Sequence, residues 1–257
     1  MIELLGATYS PWTEKARWAL DARGITYAFR KYAPLIGELG LRKKLGKWRG
    51  RVSVPVLTDD AGATIDDSAA IARWADAHGA GPSLFPAGRE ADVERFVELS
   101  ERGLAAGRGA SLRRVIADDD AVRELVPRNL RKLPFSTALG RFGVRRTLRK
   151  YGGHHDDAAT HTAELTRVLE ELRAALAAAP ATGEPRTLLG ALSFADIAAA
   201  QVIAFAAPPD VGLKLGPASR RCYSDPAIAA AFPDLVAWRD ALYASHRGSP
   251  ASQPDAA

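Results

Sequence analysis

Short apolar runs alternate with amphipathic segments over the first eighty residues. Runs rich in β-branched and aromatic residues predict strands at 2–7, 25–32, 52–60 and 63–65. Helical spacing predicts helices that begin at Pro11 and Ser68, and the basic stretch 35–48 lies between two predicted strands. The resulting order is β-α-β-α-β-β-α. The last two strands are joined by a tight turn, so they must pair antiparallel.

Strand patterns disappear after residue 80. The stretch 79–88 is rich in glycine and proline, which is typical of a linker. Helical periodicity follows at 90–116, 119–131, 157–179, 194–206 and 226–246, while 132–156 has no clear period. We therefore expect an α/β domain over 1–80, a linker over 81–90, an all-helical domain over 91–246 and a disordered tail over 247–257.

The composition is that of a globular, helix-rich protein. Hydrophobic residues make up 47% and aromatic residues 7%, which is enough apolar content for a core. The first ten residues carry no basic and apolar export pattern, and the longest apolar run, around 197–207, is too short to span a bilayer. The single cysteine, Cys222, leaves no intramolecular disulfide possible. These features predict a cytoplasmic protein that does not bind membranes.

The net charge of +5 is unevenly distributed. Residues 102–150 hold thirteen basic and four acidic residues, a local excess of +9. Such a run could contact nucleic acid or an anionic surface. It has no zinc-finger spacing and few aromatic residues, so a solvated, arginine-rich helical face is the preferred interpretation and a site for acidic ligands is the alternative. We do not expect nucleic acid as a partner.

Two proline residues mark local features that could carry function. Ser10 precedes Pro11, a pairing typical of a helix start, in which a hydroxyl caps the helix and proline takes the first helical position. Pro55 falls inside the predicted strand VSVPVL although proline cannot donate to a sheet. Either this strand lies at an edge or the Val54–Pro55 peptide is cis.

A histidine and aspartate cluster suggests metal ligands at first sight. His154 and His155 are followed by Asp156 and Asp157 in a segment that precedes a predicted helix. Adjacent histidines point in different directions, so we expect no metal site here.

Several short motifs together resemble the glutathione transferase family. They are Ser10-Pro11-Trp12, Arg17-Trp18-Ala19-Leu20, Val54-Pro55-Val56-Leu57, Asp67-Ser68-Ala69-Ala70-Ile71 and the capping box Ser193-Phe194-Ala195-Asp196. The resemblance covers residues 1–90 well and the rest more loosely. It implies a thioredoxin-like amino-terminal domain, an all-α carboxy-terminal domain and a homodimer.

The resemblance implies that a hydroxyl near the start of the first helix activates glutathione. In serine-type members, a serine at the position of Ser10 donates a hydrogen bond to the glutathione sulfur. Only the thiolate is a strong nucleophile, and a helix amino terminus favours negative charge. Some classes use a tyrosine instead, so Tyr9 is the alternative catalytic residue.

The resemblance also implies contacts to the rest of the tripeptide. Val54 would present its backbone to the cysteinyl unit, and Asp67 and Ser68 would bind the ammonium and carboxylate of the γ-glutamyl end. Among three nearby lysines, Lys44 is assigned to the glycyl carboxylate. The predicted glutathione-binding residues are Trp12, Lys44, Val54, Pro55, Asp67 and Ser68.

The expected activity is that of a serine-type, bacterial-like glutathione transferase. Glutathione is the co-substrate, no metal takes part, and the thiolate attacks an electrophilic small molecule, a chemistry used in detoxification. Two alternatives stay open. One is a glutathione-dependent isomerase or dehalogenase on the same fold; the other is a non-catalytic module that binds a partner or an anionic surface through residues 102–150.

Overall fold

The amino-terminal part folds as the sequence pattern predicts. A computed structural model describes residues 1–34, 37–153 and 155–247. Its first elements are β1 (Glu3–Gly6), α1 (Pro11–Ala22), β2 (Ala28–Lys31), α2 (Glu38–Leu45), β3 (Val56–Thr58), β4 (Thr64–Ile65) and α3 (Ser68–His78). The sheet order is β2-β1-β3-β4, with β1 and β2 parallel and the other pairs antiparallel. This mixed sheet with its helices is thioredoxin-like, as expected.

The strand that contains Pro55 is shorter than predicted. Strand β3 begins at Val56, directly after the proline, so the missing N–H of Pro55 lies outside the hydrogen-bonded ladder. The Val54–Pro55 peptide is cis. Because β3 lies between β1 and β4, the edge-strand interpretation is wrong.

The remaining regular elements are helical. They are α4 (Glu90–Ala117), α5 (Asp119–Glu124), α6 (Ser136–Lys150), α7 (Ala158–Ala178), α8 (Phe194–Val202), α9 (Pro217–Tyr223), α10 (Pro226–Ala231) and α11 (Pro233–Leu242), with 3₁₀ turns at Arg128–Leu130 and Ile203–Phe205 and a π-helical turn at Tyr243–Arg247. The predicted all-α carboxy-terminal domain is confirmed.

The helical boundaries differ from the prediction at proline residues and in the region without clear periodicity. Helix α5 stops at Glu124, shortly before Pro127, and Pro233 divides the predicted 226–246 helix into α10 and α11 because proline suits only the first turn of a helix. Helix α6 forms within 132–156, and α9 was not predicted. Of the predicted tail, residues 248–257 lie outside the described residues.

Helix α1 connects the two parts of the molecule. Its Ala16 and Leu20 join the buried cluster behind the sheet. Trp18 and Ala19 belong to a second buried cluster that includes residues of α3, α4 and α8. Burying one helix on two sides fixes its orientation, so the amino terminus of α1 opens at the junction of the sheet and the helical part.

The predicted capping box begins α8. The Asp196 carboxylate accepts hydrogen bonds from the Leu188 N–H at 2.7 Å, the Ser193 N–H at 2.9 Å and the Ser193 hydroxyl at 2.8 Å. Asp196 is fully buried. The box therefore ties the start of α8 to the loop before it.

Candidate functional site

A cavity of about 520 Å³ opens at the amino terminus of α1. One side is formed by residues of the sheet part and the other by α4 and α6. Five of the residues singled out in the sequence line it: Tyr9, Ser10, Trp12, Val54 and Asp67. The structure thus brings together residues that are up to 58 positions apart in the chain.

Ser10 occupies the N-cap position without using its hydroxyl for the cap. Its backbone is extended (φ −93°, ψ 122°), and its carbonyl accepts the Glu14 N–H at 3.0 Å. Within the described residues its side chain makes no capping hydrogen bond. Pro11 has no N–H to be satisfied. The Ser10 hydroxyl is therefore available to a ligand in the cavity.

Tyr9 lines the same cavity. Burial raises the pKa of its phenol well above the ordinary value, and the nearby Tyr223, Tyr32 and Tyr151 raise the pKa further. The group stays protonated near neutral pH, so it can donate a hydrogen bond but cannot act as a base. Ser10 and Tyr9 both line the cavity, so each is a candidate hydrogen-bond donor to a bound ligand.

The start of α3 provides a polar wall. The Asp67 carboxylate caps the helix by accepting the Ala69 and Ala70 N–H groups, both at 2.9 Å. Ser68 is buried and does not itself line the cavity, and its Oγ has no hydrogen-bond partner in the described part of the chain. Such an orphan is uncommon. Pro55 is buried behind Val54 and does not itself line the cavity.

Lys44 is not part of the cavity wall. Its ammonium donates to Glu3 at 2.8 Å, and the neighbouring Lys47 pairs with Asp66. The basic residue that does line this side is Arg51, whose guanidinium lies 5.4 Å from the centre of the Tyr151 ring. Sequence reasoning missed Arg51, although it immediately precedes the VSVPVL segment.

Trp12 connects the first helix to α4 across the cavity. Its indole N–H donates to Glu101 at 2.7 Å. The fully buried Lys15 also donates to Glu101, at 2.5 Å, and to the Ser100 hydroxyl at 3.3 Å. The Lys15 charge is therefore balanced by Glu101, and the Trp12 ring is held in place at the cavity wall.

Glu38 organises the basic residues at the cavity mouth. It pairs with Arg42 at 2.9 Å, Arg146 at 2.6 Å and Lys150 at 3.6 Å. Burial alone would raise the pKa of Glu38, but the Arg42 hydrogen bonds and the neighbouring positive charges outweigh burial and leave this pKa below its ordinary value. Glu38 is thus an anion that neutralises part of its surroundings.

Arg108 is the most unusual residue of the site, and sequence reasoning missed it. Its guanidinium lies between two rings, 4.5 Å from the centre of Trp12 and 4.0 Å from that of Tyr151. Burial lowers its pKa. The signal was present in the sequence as a stripe along α4 at spacings of three and four: Glu101, Ala105, Arg108, Leu112 and Val115, all of which line the cavity.

The family of the amino-terminal part follows from its sequence. Residues 9–78 match the family model described as glutathione S-transferase, N-terminal domain. This chain carries a glutathione S-transferase amino-terminal domain. The family resemblance predicted from the motifs is therefore confirmed for the amino-terminal part.

Solved structures extend the likeness to the whole fold. A glutathione S-transferase of Ceriporiopsis subvermispora in complex with glutathione is 21% identical, with 99% of each chain covered and a TM-score of 0.60. One from Methylobacillus flagellatus KT with glutathione bound is 15% identical, with 96% of each chain covered and a TM-score of 0.57. A glutathione S-transferase domain-containing protein of Marinobacter aquaeolei VT8 is 21% identical, with a TM-score of 0.60. The match covers 95% of this chain and 98% of that protein. No curated protein matches the sequence.

Many arginines in the basic region 102–150 are paired with acids. Arg102 binds Glu164 and Glu171, and the other pairs are Arg114–Asp225, Arg123–Asp120 and Arg141–Asp119. Two of these five acids, Asp119 and Asp120, lie within the basic run itself, and the other three lie outside it. The pairing favours the interpretation of 102–150 as a solvated, arginine-rich face.

Two further sequence features acquire structural roles. Asp157 caps α7 by accepting the Thr160 N–H at 2.7 Å, and His154 lies outside the described residues. No group of three or more His, Cys, Asp or Glu side chains that could hold a metal occurs among residues 1–34, 37–153 and 155–247.

Cys222 is buried beside α4, α5 and α6. None of the described helices is both long and apolar enough to cross a membrane.

Proposed function

We propose that this protein is a glutathione transferase whose bound glutathione is ionised and attacks an electrophilic small molecule. The observation that carries the proposal is the Ser10 hydroxyl, which is free of capping bonds, stands at the amino terminus of α1 and lines the cavity. A sulfur beside it would meet a hydrogen-bond donor and the positive end of the helix.

The energetic requirement is modest. A free thiol has a pKa of about 8.5, so only a few per cent is thiolate at neutral pH. Lowering the pKa by two units needs about 2.7 kcal/mol of differential stabilisation. A hydrogen bond to a charged group contributes about 1.5–3 kcal/mol and the helix terminus up to about 1 kcal/mol. Ser10 and the helix can therefore supply the whole effect.

The tripeptide would lie along the sheet side of the cavity. Its cysteinyl unit would pair with the Val54 backbone, which precedes Pro55, and its γ-glutamyl end would meet Asp67. The unpartnered Ser68 hydroxyl is adjacent in sequence but buried outside the cavity lining. For the glycyl carboxylate, Arg51 is the better placed cation, because Lys44 pairs with Glu3 and does not line the cavity. The similar proteins from C. subvermispora and M. flagellatus were crystallised with glutathione, which supports this ligand.

The test combines binding and turnover. We expect the purified protein to be retained on immobilised glutathione and to turn over chlorodinitrobenzene, the sulfur forming a C–S bond as chloride leaves. Ser10→Ala should stay folded and lose about 10- to 100-fold in kcat/KM. Ser83→Ala is the matched control, because Ser83 is exposed and donates to Asp76 away from the cavity.

A different outcome would favour a non-catalytic module. If the protein does not bind glutathione but binds a polyanion with an affinity that falls steeply with salt concentration, residues 102–150 would be the functional surface. We further propose a cytoplasmic homodimer with neither membrane nor nucleic acid as partner. Light scattering would then give about twice the chain mass of 27.4 kDa.

A further inference from the structure

The cavity extends well beyond the residues proposed to hold glutathione. Past Ser10 and Trp12 it enters the helical part, where Leu112, Val115 and Val144 form apolar walls. Phe205 closes this half at the 3₁₀ turn after α8. The whole cavity, at about 520 Å³, is in the range of small-molecule sites, and its helical half has the mainly apolar lining typical of such a site.

Arg108 stands between the two halves without an anionic partner. Among the described residues, no carboxylate or carbonyl accepts a hydrogen bond from its guanidinium, which instead lies between the Trp12 and Tyr151 rings. Other arginines of α4 differ: Arg102 binds two glutamates, and Arg114 binds Asp225 and the Cys222 carbonyl. A half-buried guanidinium normally has its donors satisfied, so the five N–H groups of Arg108 are suited to a ligand.

The acids near Arg108 are already committed to other groups. Glu101, two turns earlier on α4, accepts from Lys15 and from the Trp12 indole. Glu38 forms ion pairs with Arg42, Arg146 and Lys150, and the Asp67 carboxylate caps α3. Burial lowers the pKa of Arg108 and outweighs the attraction of the nearby Glu101, which raises it. The local field in this part of the cavity therefore favours an anion.

We propose that the electrophilic substrate is an anionic apolar molecule, such as an aromatic carboxylate or sulfonate, whose charged group binds Arg108. Its apolar body would pack against Leu112, Val144 and Phe205. This inference rests on the proposed function, because it assigns the acceptor of the same reaction. The guanidinium plane can bind two oxygens of a carboxylate or sulfonate at once, and its stacking on two rings fixes the orientation of that plane.

A pair of dyes that differ in one charge tests the anion site without glutathione. Anilinonaphthalene sulfonate carries a sulfonate, and phenylnaphthylamine is the same skeleton without it. Fluorescence titration of the full-length protein should show the sulfonated dye binding at least about 10-fold more tightly to wild type. Arg108→Gln should remove most of that preference and change the affinity for the neutral dye by less than about 3-fold. Arg108→Lys keeps the charge but not the planar guanidinium, so its preference for the sulfonated dye should lie between those of wild type and Arg108→Gln.

The control variant is Arg95→Gln. Arg95 is exposed on the same helix, its guanidinium lies 5.4 Å from the centre of the Phe96 ring, and it does not line the cavity. The substitution therefore removes one positive charge from α4 outside the cavity. Equal loss of both dyes in Arg108→Gln would show that Arg108 only shapes the cavity and would overturn the proposal. So would a wild-type preference below about 3-fold, a result that needs no variant to fold.

Glutathione titrations and turnover separate this proposal from the function it rests on. Wild type and Arg108→Gln should bind glutathione equally by calorimetry, while KM for chloronitrobenzoate rises about 10-fold and KM for chloronitrobenzamide stays within about 3-fold. A matching loss of glutathione affinity would assign Arg108 to glutathione and overturn the proposal. If wild type fails to bind glutathione but still prefers the sulfonated dye, the transferase function fails and the anion site stands.

Discussion

Ser10 shows how a capping residue can serve chemistry. It takes the N-cap conformation and gives its carbonyl to the first turn of α1, yet its hydroxyl makes no capping bond. The helix tolerates this because Pro11, at the first helical position, has no N–H that needs an acceptor. A hydroxyl and a helix dipole then act on the same point of space.

The thiol titration of bound glutathione distinguishes the two candidate donors. In Ser10→Ala we expect the pKa of the bound thiol, followed by thiolate absorbance, to rise by about 1–2 units, since a hydrogen bond to the charged sulfur is lost. Tyr9→Phe should change it by less than about 0.3 units if Ser10 is the donor. The reverse pattern would assign the sulfur to the Tyr9 phenol, which is protonated and able to donate.

A second comparison concerns the glycyl carboxylate. Arg51→Gln should weaken glutathione binding by about 10-fold, because a charge-assisted hydrogen bond is lost. Lys44→Gln is matched in charge and should change the affinity by less than about 2-fold, because Lys44 is engaged with Glu3 outside the cavity. Calorimetric titration measures both. Equal losses of glutathione affinity in the two variants would show that Lys44 also binds the glycyl carboxylate.

These two residues mark the limit of prediction from sequence at this scale. Lys44 and Arg51 are both basic and lie seven positions apart between the same two strands. Which of them reaches the cavity depends on the face that α2 turns inward and on the acid that captures each charge. Glu3 captures Lys44 across 41 positions, a contact that local patterns do not contain.

Elements with strong end signals were predicted well, and elements defined by packing were not. Helices α1 and α3 begin at Ser10-Pro11 and Asp67-Ser68, and their starts were predicted to the residue. Helix α6 has Gly140 and Gly143 on its cavity side, which break the apolar periodicity, and Gly140 has no room for a Cβ because Val122 lies against it. Its position depends on tertiary contact, which the pattern of one segment does not encode.

The start of α8 carries a pH dependence of its own. Burial raises the pKa of Asp196 from 3.8 to about 6, against the hydrogen bonds from Leu188 and Ser193. Between these values the folded protein keeps a proton that the unfolded chain has lost, so stability falls as pH rises through this window. About two units correspond to roughly 3 kcal/mol. This contribution is present below about pH 4 and lost by about pH 6.

Asp196→Asn should remove that dependence. The difference in free energy of unfolding between wild type and variant, from urea titrations, should fall by about 3 kcal/mol as pH rises from about 4 to about 6.5. Asp157→Asn serves as a control whose difference should stay flat over this range, because hydrogen bonds from Thr160 hold the pKa of Asp157 below its ordinary value of 3.8. A flat difference for Asp196→Asn would contradict the assignment.

At the scale of the whole molecule, one buried cluster contains residues of both parts. Trp18 of α1 lies 4.6 Å from Tyr243 of the π-helical turn, ring centre to ring centre, and Phe85 stacks on Phe194 of α8 at 5.5 Å. Arg247 at the end of that turn is buried and binds Glu14 at 2.6 Å and Asp21 at 2.7 Å. Separating the parts would expose this apolar surface and leave a buried charge unpaired.

We therefore expect the protein to unfold as one unit. Four of its five tryptophans lie in residues 1–80, so tryptophan fluorescence follows mainly the sheet part, whereas far-ultraviolet circular dichroism follows mainly the helices. The two signals should give coincident urea transitions. Arg247→Met removes the nearer of the two partners of the buried Glu14, which keeps Arg17 at 3.4 Å, and should lower the free energy of unfolding by up to about 3 kcal/mol, shifting both transitions together. If only the fluorescence transition moved, the parts would fold independently, and the cavity between them would open and close with their separation rather than stand preformed for its ligands.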